Sequence, residues 1–282
     1  VLSQALEVIL QLAGRRSSHL PLIIMACLID EIWTAWLPVR ISLSPLDIVS
    51  HEQPPPYFCM VSRLSYLPLQ VEAVAQFFGP YTHVDYVSQK IWFSHNQQPL
   101  KWQLPFGIIV DQLFGPSPKL PVNIEVNFKR FPEATLLNYS GLSTLKSYYR
   151  NCLKEASALL FGSSAKVLNM PVEQDEQLWE ALNTHSKDRF IELTQFFKDA
   201  DPSGARYLPI RIVTAQGTTT LPFKAIEGER EATLQDLIAR QFPGEQKEVM
   251  IQGVRMPLEA TLWWCWQQMS HPDQFLYVII GQ

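Results

Sequence analysis

The stretch that decides the fold covers residues 208–242 and reads LPIRIVTAQGTTTLPFKAIEGEREATLQDLIARQF. Its first six residues predict a strand, Gln216-Gly217 turns the chain, and residues 218–223 return as a second strand. Residues 233–242 then carry apolar side chains at helical spacing, behind a Thr and an Asp that form a capping arrangement. The stretch therefore predicts a β-hairpin followed by one amphipathic helix.

The residues after this helix extend the pattern to the end of the chain. A short strand is predicted at residues 249–251, a Trp-rich helical turn at 262–269 and a closing strand at 275–280. Hairpin, helix, short strand and closing strand follow one another as in ubiquitin, which has a β-grasp fold with one sheet face packed on a helix. The match concerns the fold, and a fold alone does not determine a function.

The first half of the chain repeats this order. Strands are predicted at residues 39–43, 57–61, 91–93 and 122–128, and helices at 68–78 and 106–114. The order β-β-α-β-turn-α-β therefore occurs twice, and an internal repeat of this kind organises the whole chain.

The region between the repeats, residues 132–202, predicts helices throughout. Its most regular helix covers residues 142–161, where apolar residues recur at spacings of three and four. Lys146, Arg150 and Lys154 lie at i, i+4 and i+8 and are expected on the solvent face. The predicted class is α+β, with two ubiquitin-like β-grasp domains (31–132 and 203–282) flanking a helix-rich domain (133–202).

Residues 1–30 are interpreted as a leader outside the fold. They contain a short amphipathic pattern, an Arg-Arg-Ser-Ser segment and an apolar run, and the chain begins with Val1. We expect the natural product to start at Met25. The alternative is a partner's peptide joined to the front of the chain.

Composition and motifs exclude several functions. The apolar content of 47% predicts buried cores, and the net charge of −4 gives no general reason to bind nucleic acid. The six histidines do not cluster, so no metal or cofactor is expected, and phosphate-loop, dinucleotide and hydrolase motifs are absent. The four cysteines are scattered along the chain, at Cys27, Cys59, Cys152 and Cys265, which favours a reducing compartment. Cys152 and Cys265 are expected to be buried.

A further expectation concerns the end of the second repeat. Ubiquitin-type modifiers need a free C-terminal diglycine, whereas Ile280 is followed by Gly281-Gln282. The chain is therefore not expected to be a donor modifier. A scaffold or a conjugation target fits better.

A set of short motifs resembles the autophagy protein 5 family from about residue 31 to residue 281. The motifs are Ile32-Trp33 with Leu37-Pro38, Arg63-Leu64-Ser65-Tyr66-Leu67, Pro99-Leu100-Lys101-Trp102 with Pro105-Phe106-Gly107, Phe128-Lys129-Arg130-Phe131-Pro132, Arg206-Tyr207-Leu208-Pro209-Ile210-Arg211 and Pro272-Asp273-Gln274-Phe275-Leu276. Each motif alone is weak, but their common order and spacing are specific.

The resemblance implies a non-catalytic scaffold in autophagosome formation. It implies that Lys154, in Cys152-Leu153-Lys154-Glu155-Ala156, receives the ubiquitin-like autophagy protein 12 through an isopeptide bond. The family also binds the N-terminal helix of autophagy protein 16, and the assembly promotes transfer of autophagy protein 8, from its conjugating enzyme, to phosphatidylethanolamine. The implied location is cytoplasmic, with recruitment to the phagophore membrane. The competing hypothesis is a ubiquitin-like adaptor that is never conjugated.

Several aromatic residues are candidates for a groove that accepts the partner helix. They are Trp102, Phe106, Trp263, Trp264 and Trp266. The other interpretation is that they belong to the β-grasp cores, although three indoles within four residues cannot all face inward from one helical turn. Lys129-Arg130 and Lys146 with Arg150 supply local positive charge that a membrane phosphate could contact.

Overall fold

The predicted order of strands and helices is found along both halves of the chain. The computed structural model describes residues 22–49, 52–82 and 90–281. Its strands are β1 (Trp36–Leu43), β2 (Tyr57–Ser62), β3 (Trp92–His95), β4 (Gln98–Pro99), β5 (Val122–Asn127), β6 (Leu208–Thr214), β7 (Gly217–Phe223), β8 (Ile226–Glu227), β9 (Arg230–Glu231), β10 (Val249–Ile251), β11 (Val254–Met256) and β12 (Leu276–Ile280). Its helices are α1 (Leu22–Trp33), α2 (Val71–Phe78), α3 (Phe106–Phe114), α4 (Leu142–Phe161), α5 (Ala165–Leu168), α6 (Val172–Asn183), α7 (Lys187–Lys198), α8 (Leu234–Gln241) and α9 (Leu262–Met269).

The chain divides into two compact units. One consists of residues 36–110 and 118–148 and contains the first sheet, in the order β2-β1-β5-β3-β4. The other consists of the described residues up to 35, residues 111–117 and residues from 149 onward, and its main sheet has the order β7-β6-β12-β10-β11.

The two sheets have one topology. In each, the first strand pairs with its hairpin partner on one side and in parallel with the closing strand on the other. Two parallel strands must be joined by a crossover connection. This connection contains helix α2 in the first repeat and helix α8 in the second. The predicted class, two ubiquitin-like β-grasp folds with helices between them, is confirmed.

The first strands of the two sheets, β1 and β6, differ in how far the face opposite the core is covered. In β1, buried residues alternate with exposed or half-buried ones, as in a sheet with one solvated face. In β6, every residue before Thr214 is buried, including Pro209 and Arg211 on the outer face. Arg211 is covered by α4, whose residues Cys152 and Glu155 accept its hydrogen bonds.

Some local predictions need correction. Two short elements, the strand β11 at residues 254–256 and the helix α5 at residues 165–168, were not predicted individually. The interpretation of residues 1–30 as a leader also differs from the structure at its end. Helix α1 begins at Leu22, and the side chain of Leu28 is fully buried, so the fold begins before residue 31. Residues 1–21 lie outside the described part, and the start at Met25 stays a prediction.

Helix α8 begins with the capping box that its sequence predicts. The Thr233 hydroxyl accepts a hydrogen bond from the Asp236 N–H at 3.3 Å, and the Asp236 carboxylate accepts one from the Thr233 N–H at 2.8 Å. Both terminal nitrogens of Arg230 donate to the same carboxylate at 2.7 Å. These contacts satisfy N–H groups that a helix start otherwise leaves without partners.

We expect Thr233→Ala to lower the free energy of unfolding by about 1 kcal/mol, because the helix loses its N-terminal cap. Chemical denaturation followed by circular dichroism measures the change. The control is Gln235→Ala, in the exposed first turn of the same helix, which should change stability by less than about 0.5 kcal/mol. Equal effects of the two substitutions would contradict the role of the cap.

Candidate functional site

Helix α4 carries the predicted acceptor and buries one stripe of apolar side chains. Its buried residues are Leu145, Tyr149, Cys152, Leu153, Ala156, Ser157 and Leu160. Their spacing of three and four residues follows the period of the helix, as the sequence predicts.

Lys154 lies beside this stripe and is half-buried rather than fully exposed. Its ammonium donates a hydrogen bond to the Asn151 side-chain oxygen at 3.3 Å, one turn earlier. Among the described residues, no carboxylate forms an ion pair with it. Arg150, expected on the same solvent face, is paired with Asp175 at 3.1 Å.

The residue after the lysine belongs to a buried polar network centred on Arg211. The guanidinium donates to the Glu155 carboxylate at 3.0 Å and to the Cys152 sulfur at 3.4 Å. It also donates to the Tyr277 hydroxyl at 2.8 Å and lies 3.4 Å from the Asp273 carboxylate. Strands β6 and β12 and helix α4 therefore meet at one cation.

The electrostatics of this network favour a charged Arg211 and a neutral Cys152. Burial opposes the charged guanidinium, but Tyr277 and Asp273 raise the pKa of Arg211 well above its ordinary value. Burial, followed by the charge of Asp273, raises the pKa of the Cys152 thiol to about 11. At neutral pH this cysteine is a protonated thiol, and its predicted place in the core is confirmed.

The predicted groove residues fall into two groups. Trp102, Phe106 and Trp266 are buried, with side chains at most 6% exposed. The Trp102 indole donates to the Leu137 carbonyl at 2.8 Å. These three residues belong to cores, and a closed core position cannot line an open groove.

Trp263 and Trp264 are half-buried, which agrees with the argument that the three indoles of α9 cannot all face inward. The rings of Trp263 and Trp266 pack at a centroid distance of 5.3 Å. The groove hypothesis therefore narrows to Trp263 and Trp264, for which it stays a prediction.

An exposed apolar surface that the sequence analysis missed lies on the first sheet. Trp36, Phe58 and Met60 are 42%, 63% and 53% exposed, and the strand register places them on the outer face of β1 and β2. Arg40 lies on the same face, opposite Phe58, and donates to the Asn123 side chain at 3.5 Å. We call Trp36, Phe58, Met60 and Arg40 the outer face.

The sequence relates this surface to an equivalent position in the second repeat. Residues 37–41 read LPVRI and residues 208–212 read LPIRI, which makes Arg40 the counterpart of Arg211. Arg211 is covered, whereas Arg40 is half-buried at the surface. Because the two local sequences match, only the structure shows that one arginine is covered and the other is not.

Neither a metal site nor a membrane-spanning helix is found among the residues that the structure describes. His19, His51 and His83 lie outside the described residues. Among the residues that are described, His, Cys, Asp and Glu form no group of three suited to a metal ion. No described helix is both long enough and apolar enough to cross a bilayer.

Two β-grasp folds with a helical region between them define a class of double ubiquitin-like proteins. Three models of one family match the chain: the autophagy protein ATG5 UblA domain at residues 32–128, its alpha-helical bundle region at 142–198 and its UblB domain at 207–280. The chain therefore belongs to the autophagy protein 5 family and has a role in autophagy.

Individual relatives cover most of the chain. Autophagy protein 5 of Drosophila melanogaster is 28% identical over 81% of this chain and 87% of its own length. The Dictyostelium discoideum protein is 21% identical over 89% and 93%. The crystal structure of Kluyveromyces marxianus Atg5 has the same fold, with a TM-score of 0.80 at 20% identity, covering 91% of this chain and all of that one.

We expect Arg211→Met to lower the free energy of unfolding by about 3–5 kcal/mol, because it leaves the buried Asp273 carboxylate without its cation. Adding Asp273→Asn should restore part of the loss, since the uncompensated charge is then removed. Urea denaturation of the full chain measures both variants. An Arg211→Met protein as stable as the wild type would contradict the importance of the network.

Proposed function

We propose that this chain is a non-catalytic scaffold that receives the ubiquitin-like autophagy protein 12 on Lys154. Together with autophagy protein 16, the conjugate promotes transfer of autophagy protein 8 to phosphatidylethanolamine during autophagosome formation. Membership of the autophagy protein 5 family supports this proposal. The two ubiquitin-like folds serve as a frame for partners.

The observation that carries the proposal is the setting of Lys154 within Cys152-Leu153-Lys154-Glu155-Ala156. Leu153, on one side of the lysine, is buried. Glu155, on the other side, accepts a hydrogen bond from Arg211. Among the described residues, the hydrogen bond recorded for the Lys154 ammonium goes to the short polar side chain of Asn151. Its amine is therefore held on an anchored helix without a competing carboxylate.

The proposed chemistry is an acyl transfer from sulfur to nitrogen. The deprotonated Lys154 amine attacks the thioester carbonyl at the C-terminus of the modifier. The C–N bond forms, the C–S bond breaks, and the conjugating enzyme's cysteine leaves as a thiolate that takes up the proton released by the attacking nitrogen. This chain supplies the nucleophile only, since the nearby Cys152 thiol is buried and protonated.

The outer face is the proposed docking surface for the helix of autophagy protein 16. Three large apolar side chains at the edge of a sheet suit the apolar stripe of an amphipathic helix. Trp102, Phe106 and Trp266 are not retained as groove residues because they are buried. Trp263 and Trp264 are retained as secondary candidates.

The assembled complex is proposed to work in the cytoplasm and at the phagophore membrane. The proposed contacts to lipid phosphate are Lys129 and Arg130. Lys129 is half-buried and Arg130 is exposed. Such a contact is peripheral and depends on charge. It does not involve nucleic acid, a metal or a cofactor.

We expect Lys154→Arg to abolish the conjugate, because arginine keeps the charge but does not provide a nucleophilic amine. The measurement is a gel shift after co-expression with the modifier and its activating and conjugating enzymes. Lys166→Arg, a substitution elsewhere in the same unit, should leave the shifted band unchanged. A normal band in Lys154→Arg overturns the site. Binding of the modifier with no shifted band in the wild-type chain supports the adaptor hypothesis instead.

We expect Met60→Glu to weaken binding of the N-terminal helix of autophagy protein 16 by about tenfold or more, because a charge then replaces an apolar contact. Fluorescence anisotropy with a labelled synthetic helix measures the affinity. The control is Val172→Glu, which changes a 78% exposed apolar residue on α6 and should leave the affinity unchanged. Equal affinity of the wild-type and Met60→Glu proteins would exclude the outer face.

A further inference from the structure

Glu155 binds Arg211 although the second sheet already supplies that arginine with a carboxylate partner, Asp273. Asp273 is 1% exposed, and its carboxylate lies 3.4 Å from the guanidinium. Its carboxylate also accepts hydrogen bonds from the Tyr277 hydroxyl at 2.7 Å and from the Phe275 N–H at 3.2 Å. Arg211 therefore has one carboxylate partner without Glu155.

Glu155 is therefore a second carboxylate on one cation. Its side chain is 43% exposed, so it has access to water and does not require the ion pair. Nevertheless, both of its oxygens are bound: one accepts from Arg211 at 3.0 Å and the other from the Thr220 hydroxyl at 3.1 Å. Arg211 and Thr220 lie opposite each other on β6 and β7, so two strands hold one side chain of α4.

The position of this contact on α4 determines where Lys154 points. Cys152 and Glu155 are three residues apart, lie on one face of the helix and both contact Arg211. Consecutive residues of an α-helix are about 100° apart, so Lys154 points away from that contact. Rotation of the helix about its axis would break both contacts.

We propose that Glu155, held by Arg211 and Thr220, is a positioning residue that orients the Lys154 amine for attack on the modifier's thioester. The inference rests on the proposed function of Lys154. Attack on a carbonyl carbon requires a defined direction, and displacement of a reacting group by about 1 Å can slow a reaction by two orders of magnitude. The contact from the second sheet thus acts on the reaction through the helix.

The test is a single-turnover transfer of autophagy protein 12 from its thioester-charged conjugating enzyme to the full chain. We expect Glu155→Ala to slow the transfer by about tenfold or more. Thr220→Val acts on the same contact from β7, without altering α4, and should slow it as well. The double variant should be no slower than Glu155→Ala alone, since both substitutions remove one interaction. The control Glu180→Ala changes an exposed glutamate of α6 and should react at the wild-type rate.

A second measurement separates orientation from exposure. Acetylation of Lys154 by N-hydroxysuccinimidyl acetate, followed by mass spectrometry, does not require one direction of approach and should be equal in all variants. Acetylation that falls together with transfer overturns the inference, because the effect is then one of access to the amine. A Thr220→Val protein that is unfolded, as judged by its melting temperature, also counts against the positioning role of Glu155.

The outcomes distinguish the inference from the proposed function. No transfer to the wild-type chain overturns the function of Lys154 and the inference with it. Equal transfer to the wild type, Glu155→Ala and Thr220→Val overturns the positioning role alone.

Discussion

The structure of the second unit depends on the need of one buried guanidinium for partners. The Arg211 side chain is 7% exposed and lies on the central strand β6 of the second sheet. A cation in this position is costly unless its neighbours carry negative charge or accept its hydrogen bonds. Asp273 and Tyr277 contact the guanidinium from within the sheet, and Glu155 and Cys152 contact it from helix α4. One side chain therefore joins a β-grasp sheet to the helix that carries the proposed acceptor.

The internal repeat shows how one local sequence leads to two surfaces. Arg40 and Arg211 occupy equivalent positions in equivalent strands, and both follow a Leu-Pro pair. Arg211 is covered by a helix of its own unit, whereas Arg40 lies beside the exposed side chains of Phe58 and Met60. Exposed apolar area of this kind is typical of a surface that has a partner. The same fold thus serves once as an internal support and once as a proposed docking surface.

Much of the fold could be predicted because it rests on local patterns. The β1 pattern of alternating burial, the capping box of α8 and the apolar stripe of α4 each depend on residues close in sequence. The burial of Trp102, Phe106 and Trp266 could not be predicted in this way, because an aromatic side chain suits both a core and a groove. The short helix α5 and strand β11 were missed because elements of three or four residues have too few positions to show a period.

The sequence by itself determined the repeated β-grasp order and the helical region between the repeats, and its family motif indicates Lys154, which stays a prediction. These follow from periodicity and from short motifs, which need no knowledge of distant contacts. Only the tertiary structure decided that Glu155 binds Arg211 and Thr220, which lie 56 and 65 residues further along the chain. It also decided that Met60 is exposed while Pro209 is buried. The physical reason is that burial and ion pairing depend on which distant segment covers a surface, and a local pattern carries no information on that segment.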